Sequence, residues 1–401
     1  MRIGLVSHIN PIEIKEYLYN NQIIPDTKVS ASSVHALITG FLKLGHQLII
    51  FSPINHEYIG YKPSTILLGE NLKVIMVPIL SKVDFALRDY YLPQSLSRYI
   101  RKELDNIDVL HSQWTYENSA ATVKFVNKLP TFCSVRDWWP FIWRFYKKTG
   151  WMVHYFWKHP KRRMFLKTMN ESRIHFVANS EYTRQMILGS YPDYNISIIP
   201  NPLKGEYVIK DKPFIFNHIF ISIAPDLFDR RKNIEVLIMA FHDYHNHNKE
   251  SKLILIGKYR EESEEYKKWR QNGWLEGVEL CGFVSHNKVI EKLDEASVLF
   301  HPSLEETYGN ILLEGMSRRL LVVGGMHSGA VPSVLGHGKY GLLCDVTNPA
   351  EIFKEMISIE NNTDKYIHIV ETATDYLINN LIDEAVAQRH IDLYEKFLTN
   401  M

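Results

Sequence analysis

Short uninterrupted apolar runs alternate with longer segments whose apolar residues recur at helical spacing, and this alternation limits the fold more than any other feature. The first runs are "RIGLVS", "QLIIFS", "KVIMVP", "DVLHS", "TFCSV", "IHFVANS" and "SIIPN". Strands buried on both faces read as continuous apolar runs of this kind. Between most of them lie helix-length segments such as "SSVHALITGFLKLG", where Val34, Leu37, Ile38 and Phe41 fall on one helical face and Gly45 closes the helix. The expected unit is a parallel sheet covered by helices on both sides. The pattern pauses at "IIPNPLKGEYVIKDKPFIFN", a hinge punctuated by proline and glycine, and restarts with "HIFISIAP", "KLILIG", "VELCGFV", "SVLFHPS", "LLVVGG" and "GLLCDV". The predicted fold class is therefore α/β, with two Rossmann-like doubly wound domains facing across a cleft. They cover residues 1–203 and 204–382, and a terminal helix, 383–401, returns to the N-terminal domain. Ligands of such sheets bind at the carboxyl ends of the strands, so the cleft is the expected site.

The 401 residues suffice for two domains, and the totals exclude few partners. With 45% hydrophobic and 23% charged residues and a net charge of +1, nothing global draws the chain to nucleic acid or membrane. Cys133, Cys281 and Cys344 are scattered through apolar runs, which suits buried thiols in a reducing compartment. The opening "MRIGLVSH" reads as a first strand rather than a signal peptide, and no apolar run spans a bilayer. A cytoplasmic location is expected.

Chemistry concentrates in "HPSLEETYGNILLEGMSRR". Here a loop leaves the carboxyl end of a strand and starts a helix, with Glu306 in the loop and Glu314 expected about two turns into the helix. Backbone N–H groups at the helix start, around Gly309 and Asn310, form an anion site. A carboxylate on either side of that site can accept pairs of hydroxyl hydrogen bonds. A diphosphate flanked by polyhydroxyl rings, as in a nucleotide sugar, fits this layout. The plainer alternative is that acidic residues before a helix answer its dipole and Glu314 faces solvent. Arg231 and Lys232, in "IAPDLFDRRKNIEVLIMAF", sit before another helix; they offer a planar fork and a mobile point charge for phosphate oxygens, or else form a solvated basic turn. No Asp-x-Asp, His-Glu-x-x-His or Cys-x-x-Cys motif is present, so no metal ligands are expected (metal: none) and a leaving diphosphate would be neutralised without an ion.

"HPSLEETYGNILLEGM", with Glu306 and Glu314 separated by seven residues, resembles the paired glutamates of the retaining GT-B glycosyltransferases, the large family of bacterial lipopolysaccharide, capsule and mannosyl-lipid transferases (family 4-like). "DRRKNIEVLIMAF", "LILIGK", "LCGFVSHNKVIEKLDEASVLFHPS" and "GLLCDVTNPAEI" follow the family's order, and "GFLKLGHQLIIFSP", "DVLHSQW", "FVANSEYTRQMI" and "IIPNP" fit in the first half. The resemblance implies that Arg231 and Lys232 hold the diphosphate of a UDP- or GDP-linked donor and that Glu306 binds the donor sugar. Glu314 would bind the ribose, and backbone at Gly282 and Phe283 would edge the base. It implies retention of configuration, with the leaving diphosphate helping to take the acceptor proton, and no cofactor. The acceptor would be a glycan or lipid-linked saccharide in cell-surface polysaccharide synthesis.

Some positions depart from the family. Its glycine pair in the first loop is replaced by "KVSASSVH", with Ser30, Ser32 and Ser33. A His-Asp pair becomes Arg136-Asp137, and Ser333 stands where relatives tend to have a glutamate. Asp137 and His111 are the catalytic candidates toward the acceptor; the alternatives are a helix-start aspartate and a strand-end core histidine. In "RDWWPFIWRFYKKTGWMVHYFWKHPKRR", Trp138 and Trp139, with Arg136, are candidate acceptor contacts. The wider stretch, with Trp143, Trp151, Trp157, Lys158, Lys161, Arg162 and Arg163, is a candidate for peripheral contact with the inner membrane face, or an aromatic core under a basic helix. Nucleic acid is not an expected partner. The other enzyme reading is a sugar phosphorylase. The alternative outside catalysis is a GT-B protein that binds nucleotide sugar or accompanies a true transferase.

Overall fold

The computed structural model describes residues 1–29, 31–54, 65–78, 88–140 and 161–399, in two compact units. Met1–Lys204 with Leu381–Met401 forms one unit and Gly205–Asn380 the other.

The first unit carries an eight-stranded sheet: β1 (Arg2–Val6), β2 (Gln47–Pro53), β3 (Thr65–Leu68), β4 (Leu72–Val77), β5 (Val109–Gln113), β6 (Thr131–Val135), β7 (Ile174–Ala178) and β8 (Ile196–Ile198). Their order is β3-β4-β2-β1-β5-β6-β7-β8. All neighbours are parallel except β3, which pairs antiparallel with β4. The continuous apolar runs follow from burial on both faces. Along β1, Ile3 and Leu5 join one core with Val34, Leu37 and Phe41 of the helix Ser32–Lys43. Val6, pointing the other way, joins Leu92, Leu96 and Ile100 of the helix Arg88–Lys102. β3 escapes the sequence reading because it is a four-residue edge strand of alternating burial, joined to its neighbour without a helix. The terminal helix Asp383–Leu398 packs on Ser32–Lys43, whose Gly40 must lack a side chain: a Cβ there would stand 2.2 Å from the Asp383 carbonyl oxygen. A 2.8 Å ion pair between Lys43 and the buried Asp383 joins the same two helices.

The second unit has a six-stranded parallel sheet: β9 (Ile219–Asp226), β10 (Lys252–Lys258), β11 (Val278–Gly282), β12 (Val298–His301), β13 (Leu321–Gly325) and β14 (Leu342–Cys344), ordered β11-β10-β9-β12-β13-β14. Phe220, Leu253, Leu255, Phe300 and Val323 share a core with Leu237, Phe241 and Tyr244 of the helix Ile234–His247. The strand order reverses between β9 and β12 in this unit and between β1 and β5 in the first. Strand ends on either side of such a reversal diverge and leave a crevice at their carboxyl edge. Among the described residues, no helix is long and apolar enough to cross a membrane. Cys133 and Cys344 are buried and Cys281 half-buried, all as free thiols, and burial pushes the Cys133 and Cys344 thiols up to about 12.

Candidate active site

Two loops leave the carboxyl ends of β9 and β12 and are tied together across the strand reversal. After β9 the chain turns on Asp229, whose carboxylate accepts from Arg231 N at 2.9 Å and whose carbonyl accepts from Lys232 N at 2.8 Å. Asn233, left-handed at φ 55°, then starts the helix Ile234–His247 and donates its side-chain amide to the Val346 carbonyl at 2.7 Å. Leu304 N donates to the Arg231 carbonyl at 2.8 Å, and Arg231 Nη1 returns a bond to the Glu305 carbonyl at 3.1 Å. These bonds bring Arg231, Lys232 and Glu306 together. Lys232 Nζ donates to Glu306 Oε1, His301 Nε2 donates to the same oxygen at 3.1 Å, and Arg231 Nη1 lies 3.6 Å from Oε2. Burial opposes the Glu306 charge, but Lys232, His301 and Arg231 together hold its carboxyl well below the usual range. Burial lowers the pKa of His301, partly offset by Glu306, so its ring is neutral near pH 7.

Gly309 takes φ +84° at the start of the helix Asn310–Ser317, a conformation costly to any residue with a Cβ. Because the helix begins at Asn310, Glu314 lies about one turn inside it, not the two expected from the sequence. Its side chain is buried, with no hydrogen-bond or ion-pair partner among the described residues, and burial raises its pKa to about 7. The solvent-facing alternative for Glu314 is thus excluded. Gly282 ends β11 at φ +69°, and the neighbouring Phe283 is 66% exposed with Lys258 Nζ 5.4 Å from its ring centre. Ser333 donates its hydroxyl to the Ala330 carbonyl at 2.8 Å.

The candidates of the first unit separate into different environments. His111 is completely buried on β5, with Nδ1 2.5 Å from the Tyr394 hydroxyl and Nε2 2.9 Å from Ser134 Oγ. Trp138 is 4% exposed and packs edge-on against Phe165. Both are buried in the core, His111 as the strand-end core histidine and Trp138 as part of the aromatic core that the sequence reading kept as alternatives. Asp137 is half-buried and accepts from the Tyr116 hydroxyl at 2.8 Å, and Trp139 meets Tyr116 edge-on. Arg136 is buried, with its guanidinium donating to Gln113 Oε1 at 2.6 Å, Ser33 Oγ at 2.9 Å and Asn201 Oδ1, and burial lowers its pKa to about 10. Ser30, Trp143, Trp151, Trp157 and Lys158 lie outside the described residues, whereas Arg162 and Arg163 are exposed.

Residues 30–204 match the family described as Glycosyltransferase Family 4, and residues 210–376 match Glycosyl transferases group 1. The chain belongs to a GT-B glycosyltransferase family. An uncharacterized glycosyltransferase of Methanocaldococcus jannaschii is 22% identical over 73% of this chain and 76% of its own. A second from the same organism is 26% identical over 55% and 58%. Among solved structures, a sucrose-phosphate synthase from Thermosynechococcus elongatus superposes with a TM-score of 0.72 at 13% identity over all of both chains. Anabaena HepE in complex with UDP-glucose does so with a TM-score of 0.65, also at 13% identity over all of both chains.

Within the family frame, sequence reasoning missed His301 and Asp229. His301 ends a strand five residues before Glu306, and that position at a carboxyl edge was the available signal. Asp229 carried none, because its role in shaping the turn appears only in the backbone geometry. Among the described residues, no group of three or more His, Cys, Asp or Glu is placed to hold a metal ion.

Proposed function

We propose that the chain is a retaining, metal-independent glycosyltransferase that takes a hexosyl group from a nucleotide-diphosphate sugar to a glycan or lipid-linked saccharide. The reading rests on the cluster at the β9–β12 reversal: two cations, Arg231 and Lys232, fixed by a buried carboxylate and a neutral imidazole. The cations would hold the diphosphate and assist its departure, aided by the N–H groups at Gly309 and Asn310. Glu306 would face the transferred sugar, Glu314 the ribose, and Gly282 with Phe283 the base. The complexes of Anabaena HepE with UDP and UDP-glucose favour a UDP-linked donor. The acceptor would bind the first unit, with Asp137 and Trp139 as contacts and Arg136 holding the loop that carries them. Arg162 and Arg163 support contact with an anionic membrane surface, and we place the enzyme in the cytoplasm, in cell-surface polysaccharide synthesis.

Transfer from UDP-glucose to an acceptor extract, with the product's anomeric configuration read by NMR, tests this function. Retained configuration is expected; UDP binding without transfer or donor hydrolysis would leave a nucleotide-sugar-binding protein instead. Chelation is expected to leave the rate unchanged, because Arg231 and Lys232 neutralise the leaving group. A loss restored by magnesium or manganese would refute metal independence.

Glu314 sets a pH dependence. Ribose hydroxyls donate best to the carboxylate, so below about pH 7 the donor KM should rise by up to roughly tenfold per pH unit. Glu314→Gln should raise the KM at pH 8 and flatten this profile, with kcat little changed, since ribose contacts alter little during reaction. Stability should move oppositely. The folded pKa exceeds the unfolded one, so Glu314's contribution is full below the unfolded value and lost as pH rises through about 7. A wild-type pH–KM profile in the variant would remove Glu314 from the ribose site.

A further inference from the structure

Two donors share one oxygen of Glu306. Lys232 Nζ and His301 Nε2 both donate to Oε1, while Oε2 has Arg231 Nη1 nearby at 3.6 Å. These three are the partners of the Glu306 carboxylate among the described residues. An ionised carboxylate can only accept, so the proton of the neutral imidazole sits on Nε2.

The three partners differ in what else they can do. Lys232 and Arg231 carry the charge that a diphosphate would draw, and an ammonium on a flexible stem can turn from one oxygen to another. His301 is fixed. It ends β12, opposite Gly324 in the ladder with β13, and its side chain is 3% exposed. Burial outweighs the pull of Glu306 and keeps the ring uncharged, which gives a phosphate little to draw on. The chain between His301 and Glu306 is anchored as well: Ser303 Oγ donates to the Arg231 carbonyl at 3.2 Å, and Leu304 N donates to the same carbonyl at 2.8 Å. Once the cations turn to a diphosphate, the imidazole is the remaining hydrogen-bond donor to the carboxylate. A carboxylate freed of Lys232 and lacking His301 would follow the cations and compete with the diphosphate for them.

We propose that His301 is the positioning residue for Glu306: it keeps Oε1 in place when Lys232 and Arg231 turn to the donor's diphosphate, so that Oε2 still meets the transferred sugar. The role rests on the transferase reading, in which the cations hold that diphosphate. Calorimetry with UDP and with UDP-glucose, and turnover of UDP-glucose, test it on the full chain and its variants. His301→Leu should lower kcat about ten- to hundredfold, the worth of one hydrogen bond to a charged group, with UDP affinity within about threefold of wild type. His301→Gln, which restores a side-chain N–H at similar reach, should recover most of the loss. In a Glu306→Gln background His301→Leu should cost little more, because the carboxylate it positions is already gone. A residue that only fills the core would behave otherwise, with leucine keeping turnover and glutamine losing it. Normal kcat in His301→Leu, a glutamine no better than leucine, or equal losses of kcat and UDP affinity would each overturn the role. Should His301→Leu fail to fold, His301→Asn, whose amide stops short of Glu306, takes its place. A wild-type chain that binds UDP-glucose but turns none over loses the transferase reading. His301 is then decided by the ratio of UDP-glucose to UDP affinity, which His301→Leu should lower about tenfold and His301→Gln should keep. A chain that binds neither ligand removes both.

Discussion

Lys232→Ala is expected to lower turnover by about 10²–10³-fold, the usual cost of removing one pre-oriented group that meets charge developing in the transition state. The Lys232 side chain is 11% exposed and its ammonium is aimed by Glu306, so its charge acts where water screens it little. In the proposed reaction negative charge would grow on the diphosphate as the glycosidic bond breaks, and the ammonium would answer it without reorganising. Arg231→Lys should also impair turnover, since a lysine cannot present a planar guanidinium fork to phosphate oxygens while Nη1 holds the Glu305 carbonyl. Steady-state rates with UDP-glucose measure both effects, and wild-type turnover in Lys232→Ala would take Lys232 out of the mechanism. The same variant should be less stable to acid. The folded pKa of Glu306 is depressed, so its contribution is present above the unfolded value and lost as pH falls through the folded one. Losing Lys232 raises that folded pKa and should move the acid-unfolding midpoint upward. Arg231 and His301 stay beside the carboxylate, which keeps the loss below the roughly 3–5 kcal/mol of a buried charge left alone.

Glu306→Gln should reduce kcat by about a hundredfold while tightening UDP. The two effects have separate causes. In the proposed reaction the sugar ring would gain positive charge as its bond breaks, and the amide would not stabilise that charge as the carboxylate would. The same substitution leaves Lys232 and Arg231 without their shared anion, so both act more fully on a diphosphate. Calorimetry with UDP and turnover with UDP-glucose report the two halves. A variant with higher donor KM and normal kcat would make Glu306 only a binding group. This pattern is distinct from that expected of Glu314→Gln, where KM carries the effect.

Most of the sheet strands were legible because burial on both faces leaves an uninterrupted apolar run, as in "QLIIFS" and "KLILIG". β3 was not, since an edge strand needs only one apolar face and its four residues give no period to read. Arg231, Lys232, Glu306 and Glu314 were legible because charges beside a strand-to-helix turn are few and their spacing is local. His111 and Trp138 show the limit of that reasoning. Each stands beside residues that look functional, yet which side of a strand end faces the core depends on distant partners: Tyr394 for His111 and Phe165 for Trp138.

The sequence by itself determined the α/β class, the parallel sheets and the loops that carry the charged residues, because period and turn chemistry are properties of neighbours along the chain. Tertiary structure alone decided how the charges are shared. Lys232 and Glu306 are joined only because β9 and β12 are adjacent, and the raised pKa of Glu314 arises from the packing around its helix. His8 meets Glu117 only because β1 lies beside β5. Pairing and desolvation act through space over a few ångströms, and the residues they link are up to 340 positions apart in the chain, as Lys43 and Asp383 are.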